Sequence, residues 1–488
     1  MAGTQIQQEQ FSVKELQVSS SSENGANDKE SDVPTAGDWT SEEEKVVVRK
    51  ADLRVFPMLC LVFGLSLLDR TNISSAYIAN MDVDLQLTGA RYNLCLLVFF
   101  IGYGLLEIPS NYVIRRIGAR LWMTFLIIAW GLCVLGMGFI DHWRVLAVLR
   151  ALLGVFEAGL LPGAIYIIGS WYSQFETGKR ISIFYMSSLI AGAFGPLLAY
   201  ALSKISVGNG KYQQGWRWIF IIEGIATIVA GFASPFFLIE FPERVNFLNS
   251  RQKHIALNRI KIDKDAEEVV HVSVTETLKM LLDWKLWLYM LAYFICASTA
   301  YSLAFFTPII LRQGLGFSYT KAQLLGSPPI IFTIIASIAM AWVSDKSRKR
   351  WPIMIAQALI TIVGFLIILY AKPPYVRYFG LFLAAFGAQA NIPATLTYGQ
   401  NQTASLAKKG VVAAAMISAG AVGGVCGSVI FRTQDAPKYT PGMWATIGMQ
   451  FLYIVIMSYM SYFFTKENQL ADEGEKILEG KEGYRYVP

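Results

Sequence analysis

Leu67-Leu68-Asp69-Arg70-Thr71-Asn72-Ile73 sets an acid and a base side by side inside an apolar segment that runs from Val55 to about Ile78. A carboxylate or guanidinium at the centre of a spanning helix costs about 2.5–3.5 kcal/mol on insertion scales, so such residues face a partner or a polar cavity and do work there. This stretch therefore marks both a membrane span and the place to look for function.

The rest of the chain agrees. Of 488 residues, 54% are hydrophobic and 16% charged, with a mean hydropathy of +0.43, whereas a soluble domain carries roughly 25% charged residues. Apolar runs of about 20 residues each read as spanning helices. Twelve are expected, at about 55–78, 92–114, 121–141, 144–169, 181–203, 217–240, 286–311, 323–343, 352–371, 376–398, 411–431 and 443–465. The fold class is an all-α polytopic membrane protein. Residues 1–50 are rich in Ser, Glu, Gln, Asn and Gly and read as a disordered tail. No cleavable signal is expected, the first span serving as its own. The polar connection 241–285 divides the spans into two sets of six, 51–240 and 286–465, with 466–488 as a second tail.

Loops on the side of the N-terminus hold nearly twice the Lys and Arg of the opposite loops, which places both tails in the cytoplasm by the positive-inside rule. The net charge of +7 thus reflects topology, and no uninterrupted basic stripe with aromatics suggests nucleic acid. The cysteines Cys60, Cys95, Cys133, Cys296 and Cys426 lie far apart in apolar segments without CxxC spacing and read as buried thiols. No metal or cofactor is expected, and no nucleophile–base pair or phosphate loop suggests an enzyme. Gly420, Gly423, Gly424 and Gly427 form a small-residue seam for close helix packing; no strand precedes it and no Lys-Ser/Thr follows, so it is not a nucleotide loop.

Basic turns recur after the second and eighth spans. They contain Arg115, Arg116 and Arg120 in the first half, and Asp345, Arg348 and Arg350 in the second. Matching positions in two halves suit paired gates in which a central site opens alternately to each side.

Together with these turns, Leu68-Asp69-Arg70-Thr71-Asn72-Ile73, Gly102-Tyr103, Glu107-Ile108-Pro109-Ser110-Asn111, Arg150-Ala151-Leu152-Leu153-Gly154-Val155-Phe156-Glu157-Ala158-Gly159 and Trp216-Arg217-Trp218-Ile219-Phe220-Ile221-Ile222-Glu223-Gly224 resemble the major facilitator superfamily. Within it they resemble the anion:cation symporter family, especially its fungal allantoate, nicotinate and pantothenate permease branch. The resemblance spans about 50–466; Ala341 departs from it where a glycine is usual. It implies the major facilitator fold of two six-helix bundles and proton-driven uptake of a small organic anion. It also implies coupling protons on Asp69 and Glu157, with Arg70 and Arg150 attracting the anion.

The residues' own positions bear on those roles. Asp69 lies about 21 Å along the first span and Arg150 roughly 9 Å from the outer end of the fourth, so the two share a depth and an Asp69–Arg150 ion pair is expected. Glu157 lies roughly 10 Å further along the same face as Arg150 and needs a different partner. Arg70 points about 100° away from Asp69 and is free for substrate, with Tyr103 a further candidate contact. Glu107 and Glu223 read as structural ties. Apart from Arg377 at one end of 376–398 the second six spans carry no Asp, Glu, Lys or Arg, so neutral groups, Tyr301, Gln389 and Asn391 among them, are the ones expected to meet a ligand there. The expected protein is a monomeric plasma-membrane symporter of protons and a small organic anion. An exporting antiporter and a nutrient-sensing receptor are the alternatives.

Overall fold

Thr40 starts the first helix. Its hydroxyl accepts from the Glu43 amide at 3.3 Å, and the Glu43 carboxylate accepts from the Thr40 amide at 3.0 Å, a capping box. The structure, a computed structural model, describes residues 39–487 apart from 173, 208–209, 239, 243–244, 246, 266–279, 348–349, 404–405 and 481–482. Its principal helices are α1 (Ser41–Ala76), α2 (Arg91–Ile117), α3 (Ala119–Met137), α4 (Trp143–Glu157), α5 (Leu160–Trp171), α6 (Gln174–Ser203), α7 (Gly215–Phe237) and α8 (Ser250–Asp265). They continue as α9 (Trp284–Ile309), α10 (Ser327–Ser347), α11 (Trp351–Tyr370), α12 (Pro374–Asn401), α13 (Leu406–Val429) and α14 (Thr440–Asp472).

Among the described residues, eleven spans are long and apolar enough to cross a membrane, α4 and α5 counting as one. The 27-residue α2, with four charged side chains, completes the twelve. The chain is therefore a multi-pass membrane protein.

Three boundaries differ from expectation. Residues 41–50, read as disordered tail, form the start of α1. At 36 residues that helix is about 54 Å long against a hydrocarbon core of about 30 Å. Its polar first third stands clear of the core and is gripped by α8, where Arg251 pairs with Glu43 at 2.7 Å and Arg259 with Glu44 at 3.4 Å. The fourth span is interrupted at Ala158–Gly159, where Gly159 lies so close to Ser110 of α2 that a Cβ would collide with it. The expected tail 466–488 is helical to Asp472, and Tyr486 is buried against Phe464.

Helix partners follow the small residues. Gly154 of α4 lies against the Phe99 carbonyl of α2, an approach that any side chain would block. In the second half Gly423 and Gly427 of α13 pack on the backbone of α9, as the glycine seam requires. Within the first set α1 packs on α6 and α7, and α3 on α7; within the second, α9 packs on α12 and α13, and α11 on α12 and α14. The sets meet where α2 touches α13, α6 touches α10 and α1 touches α9.

Hydrogen bonds between the sets cluster at the end away from α8, here called the distal end. Asn93 of α2 donates to the carbonyls of Ser428 and Phe431, each at 2.7 Å. Gln323 donates to the Ser75 carbonyl at 3.1 Å, and Thr433 to that of Gly89 at 2.6 Å.

Candidate functional site

The helical step of about 100° per residue sends neighbours on α1 to different partners. Asp69 faces α3 and α7. Its Oδ2 accepts from Trp130 Nε1 at 3.1 Å and from Thr227 Oγ1 at 3.0 Å. Arg70 faces α4 and α9. Its Nε donates to Glu157 Oε1 at 3.2 Å, its Nη2 to the same oxygen, and its Nη1 to the Tyr301 hydroxyl at 3.0 Å. Ser66, one turn before Arg70 on the same face, donates to Glu157 as well.

The expected Asp69–Arg150 ion pair is not formed. Arg150, fully buried, donates to the backbone carbonyls of Asp69 and Arg70 at 3.4–3.5 Å and lies 5.1 Å from the Phe99 ring centre. Equal depth put the two groups at one level, but azimuth turns the Asp69 carboxylate toward α3 and α7. The buried ion pair is Arg70–Glu157 instead. Arg70 is consequently engaged rather than free. It is also flanked by the rings of Phe99 at 5.0 Å and Tyr103 at 5.1 Å, at cation–π distance.

Tyr301 brings the second half to this pair. Its ring meets Phe100 of α2 edge-on at 4.9 Å, so one residue of α9 touches both Arg70 and the α2 wall. Glu107 is half-buried on α2. Asn391 goes elsewhere: wholly buried, it donates to the Met354 carbonyl of α11 at 3.3 Å, which ties two helices together.

A cavity of about 110 Å³ lies between the sets, room for a few waters. Its polar lining is neutral, with Thr71, Asn72, Ser74 and Ser75 from α1 facing Thr307, Thr333 and Gln389. Gln389 is thus at the cavity, whereas Arg70 lies on another face of α1 and meets Glu157 of α4 there. Asn72 links the cavity to a further acid, for its amide donates to Glu223 Oε2 on α7.

The expected gate residues have separate fates. Arg116 stacks on Tyr112 of its own helix at 4.5 Å. The turn before α3 is held by Glu240, which accepts from the Ala119 amide at 2.9 Å and the Arg120 amide at 3.2 Å, while Gly118 takes a φ of 102°. Arg350 is the N-cap residue of α11. Arg348 and the side chains of Arg115 and Asp345 lie outside the described residues.

Reading the sequence missed Ser66, Phe99, Trp130, Thr227 and Glu240. Ser66 had a signal in its spacing of four from Arg70, as did Thr227 from Glu223. Trp130 and Glu240 had none, because their partners are remote in the chain.

Twelve spans in two packed sets, with a buried cluster of acids and bases around α1, define a polytopic transporter-type membrane protein. The Major Facilitator Superfamily model matches residues 59–428. "MFS transporter prlL" of Fungal sp. (strain NRRL 50135) is 32% identical over 461 residues, 92% of each chain. The "High-affinity nicotinic acid transporter" of Saccharomyces cerevisiae is 27% identical, covering 87% of this chain and 79% of its own. Among solved structures, a bacterial homolog of the human lysosomal transporter Spinster, inward-facing and unoccupied, superposes with a TM-score of 0.69 at 16% identity, over 88% of this chain and 99% of its own. The chain belongs to the Major Facilitator Superfamily.

Proposed function

We propose that this protein is a proton-coupled symporter taking up a small organic anion, a vitamin-like or heterocyclic carboxylate, across the plasma membrane as a monomer with both termini cytoplasmic. The observation that carries the reading is the sharing of Arg70 between Glu157 of the first half and Tyr301 of the second. A carboxylate ligand competes with Glu157 for this guanidinium. Protonating Glu157 releases Arg70 for the anion, and binding the anion keeps Glu157 protonated, so the two cargoes travel together.

Arg150 adds positive potential at the same level, and the aromatic walls of Phe99, Tyr103 and Tyr301 suit a flat ring. The likeness to the yeast nicotinic acid transporter supports a heterocyclic carboxylate. Gln389 in the cavity adds a neutral contact from the second half.

Uptake of labelled nicotinate, pantothenate, allantoate and biotin in transport-deficient cells at two external pH values tests the reading. Accumulation of at least one, faster at the lower pH, is expected. Accumulation of none, with resistance to toxic compounds on expression, would establish export instead.

A further inference from the structure

The buried layer around α1 holds more acid than base. Asp69 is 1% exposed, Glu157 1% and Glu223 2%, against Arg70 at 8% and Arg150 at 0%. With both guanidiniums charged, one carboxylate is left over. An uncompensated charge in a dry interior costs several kcal/mol, and the group neutralises instead, so the layer holds one proton.

The hydrogen bonds indicate which carboxyl holds it. Glu157 has the ion pair with Arg70. Asp69 accepts two hydrogen bonds, and Arg150 lies against the carbonyls of its own stretch of α1. One oxygen of each of the three carboxylates, Asp69 Oδ1, Glu157 Oε2 and Glu223 Oε1, is buried without a partner, but on its other oxygen Glu223 has Asn72 alone, against two donors on Asp69 and the Arg70 pair on Glu157. No cation pairs with Glu223 among the described residues. Arg217, about 9 Å along α7, is held by Asp141 and by the carbonyls of Gly138 and Ile140. Of the elements packed on α7, α1 brings Asp69, whose Oδ2 accepts from Thr227 of α7, and none of them contributes an ion pair to Glu223 among the described residues.

We infer that Glu223 is a third proton-carrying residue, holding in this conformation the proton that neutralises the layer and reaching the cavity through Asn72. The inference rests on reading this layer as the coupling site. Proton binding forms a carboxylic acid at Glu223 with no other bond changed, and release to cavity water restores the carboxylate. Asn72, which both lines the cavity and holds Glu223, senses the cavity's hydration. This gives the protein a proton site separate from the Arg70–Glu157 pair, on another face of the same helix.

Infrared spectroscopy of the purified full-length protein near neutral pH reads the proton without any substrate, so it stands or falls apart from the uptake assay. Wild type should show the carbonyl stretch of a protonated buried carboxyl. Glu223→Gln, whose amide oxygen still accepts from Asn72, should lose that band, and Glu157→Gln, which leaves two carboxylates to two guanidiniums, should lose it as well. Asn72→Ala leaves Glu223 in place and should shift the band, because a hydrogen bond to its carbonyl oxygen is lost. Absence of the band in wild type, or its survival unchanged in Glu223→Gln or Asn72→Ala, would overturn the assignment.

Discussion

Replacing Glu157 by Gln separates anion binding from proton coupling. In the folded protein Arg70 directs two of its donors at Glu157 Oε1. Removing one partner of a buried pair costs about 3–5 kcal/mol, because the remaining charge stays buried. A ligand carboxylate that takes the place of Glu157 recovers that energy, and about 3 kcal/mol corresponds to roughly 100-fold in Kd. Calorimetry with nicotinate on purified protein should therefore show tighter binding to Glu157→Gln than to wild type. The sign of the pH dependence follows from competition. Wild-type affinity should weaken with rising pH, because the side chain competes with the anion for Arg70, while the variant, which has no carboxylate at this position, should show no such dependence. In proteoliposomes the variant should retain counterflow exchange and lose uphill accumulation. Uphill accumulation with the wild-type pH profile, or unchanged affinity with an unchanged pH slope, would refute the competition.

Asn93→Ala should loosen the distal end. Its two hydrogen bonds, each 2.7 Å, are together worth about 1–3 kcal/mol net, and membrane-impermeant maleimide labelling of Thr433→Cys on this background should rise accordingly; unchanged labelling would mean that this clasp does not hold the halves. Tyr486→Ala should lower the apparent melting temperature in detergent by the equivalent of about 3 kcal/mol, because the ring lies 4.5 Å from Phe464 and the Asn468 side chain clasps the Tyr486 backbone through both its amide and its carbonyl, each at 2.9 Å.

Much of the architecture was legible because a bilayer imposes length and apolarity on each span separately. Those are local properties, so the twelve runs could be read without knowing their neighbours. The start of α1 was also local, written in the Thr40–Glu43 spacing, but the polar composition of 1–50 pointed to disorder and overrode it. The break at Ala158–Gly159 was less accessible. The glycine itself is visible in the sequence, but its contact with Ser110 is one between two spans and is not.

The amino-acid sequence by itself determined which charges are buried, their depth along each helix and the 100° turn that points Asp69 and Arg70 in different directions. The tertiary structure alone decided their partners. Depth is additive along one helix, whereas pairing depends on the azimuth of helices far apart in the chain. That is why Arg70 rather than Arg150 holds an acid, why Asp69 rests on Trp130 and Thr227, and why Glu223, which read as a structural tie, lies beside a cavity through Asn72.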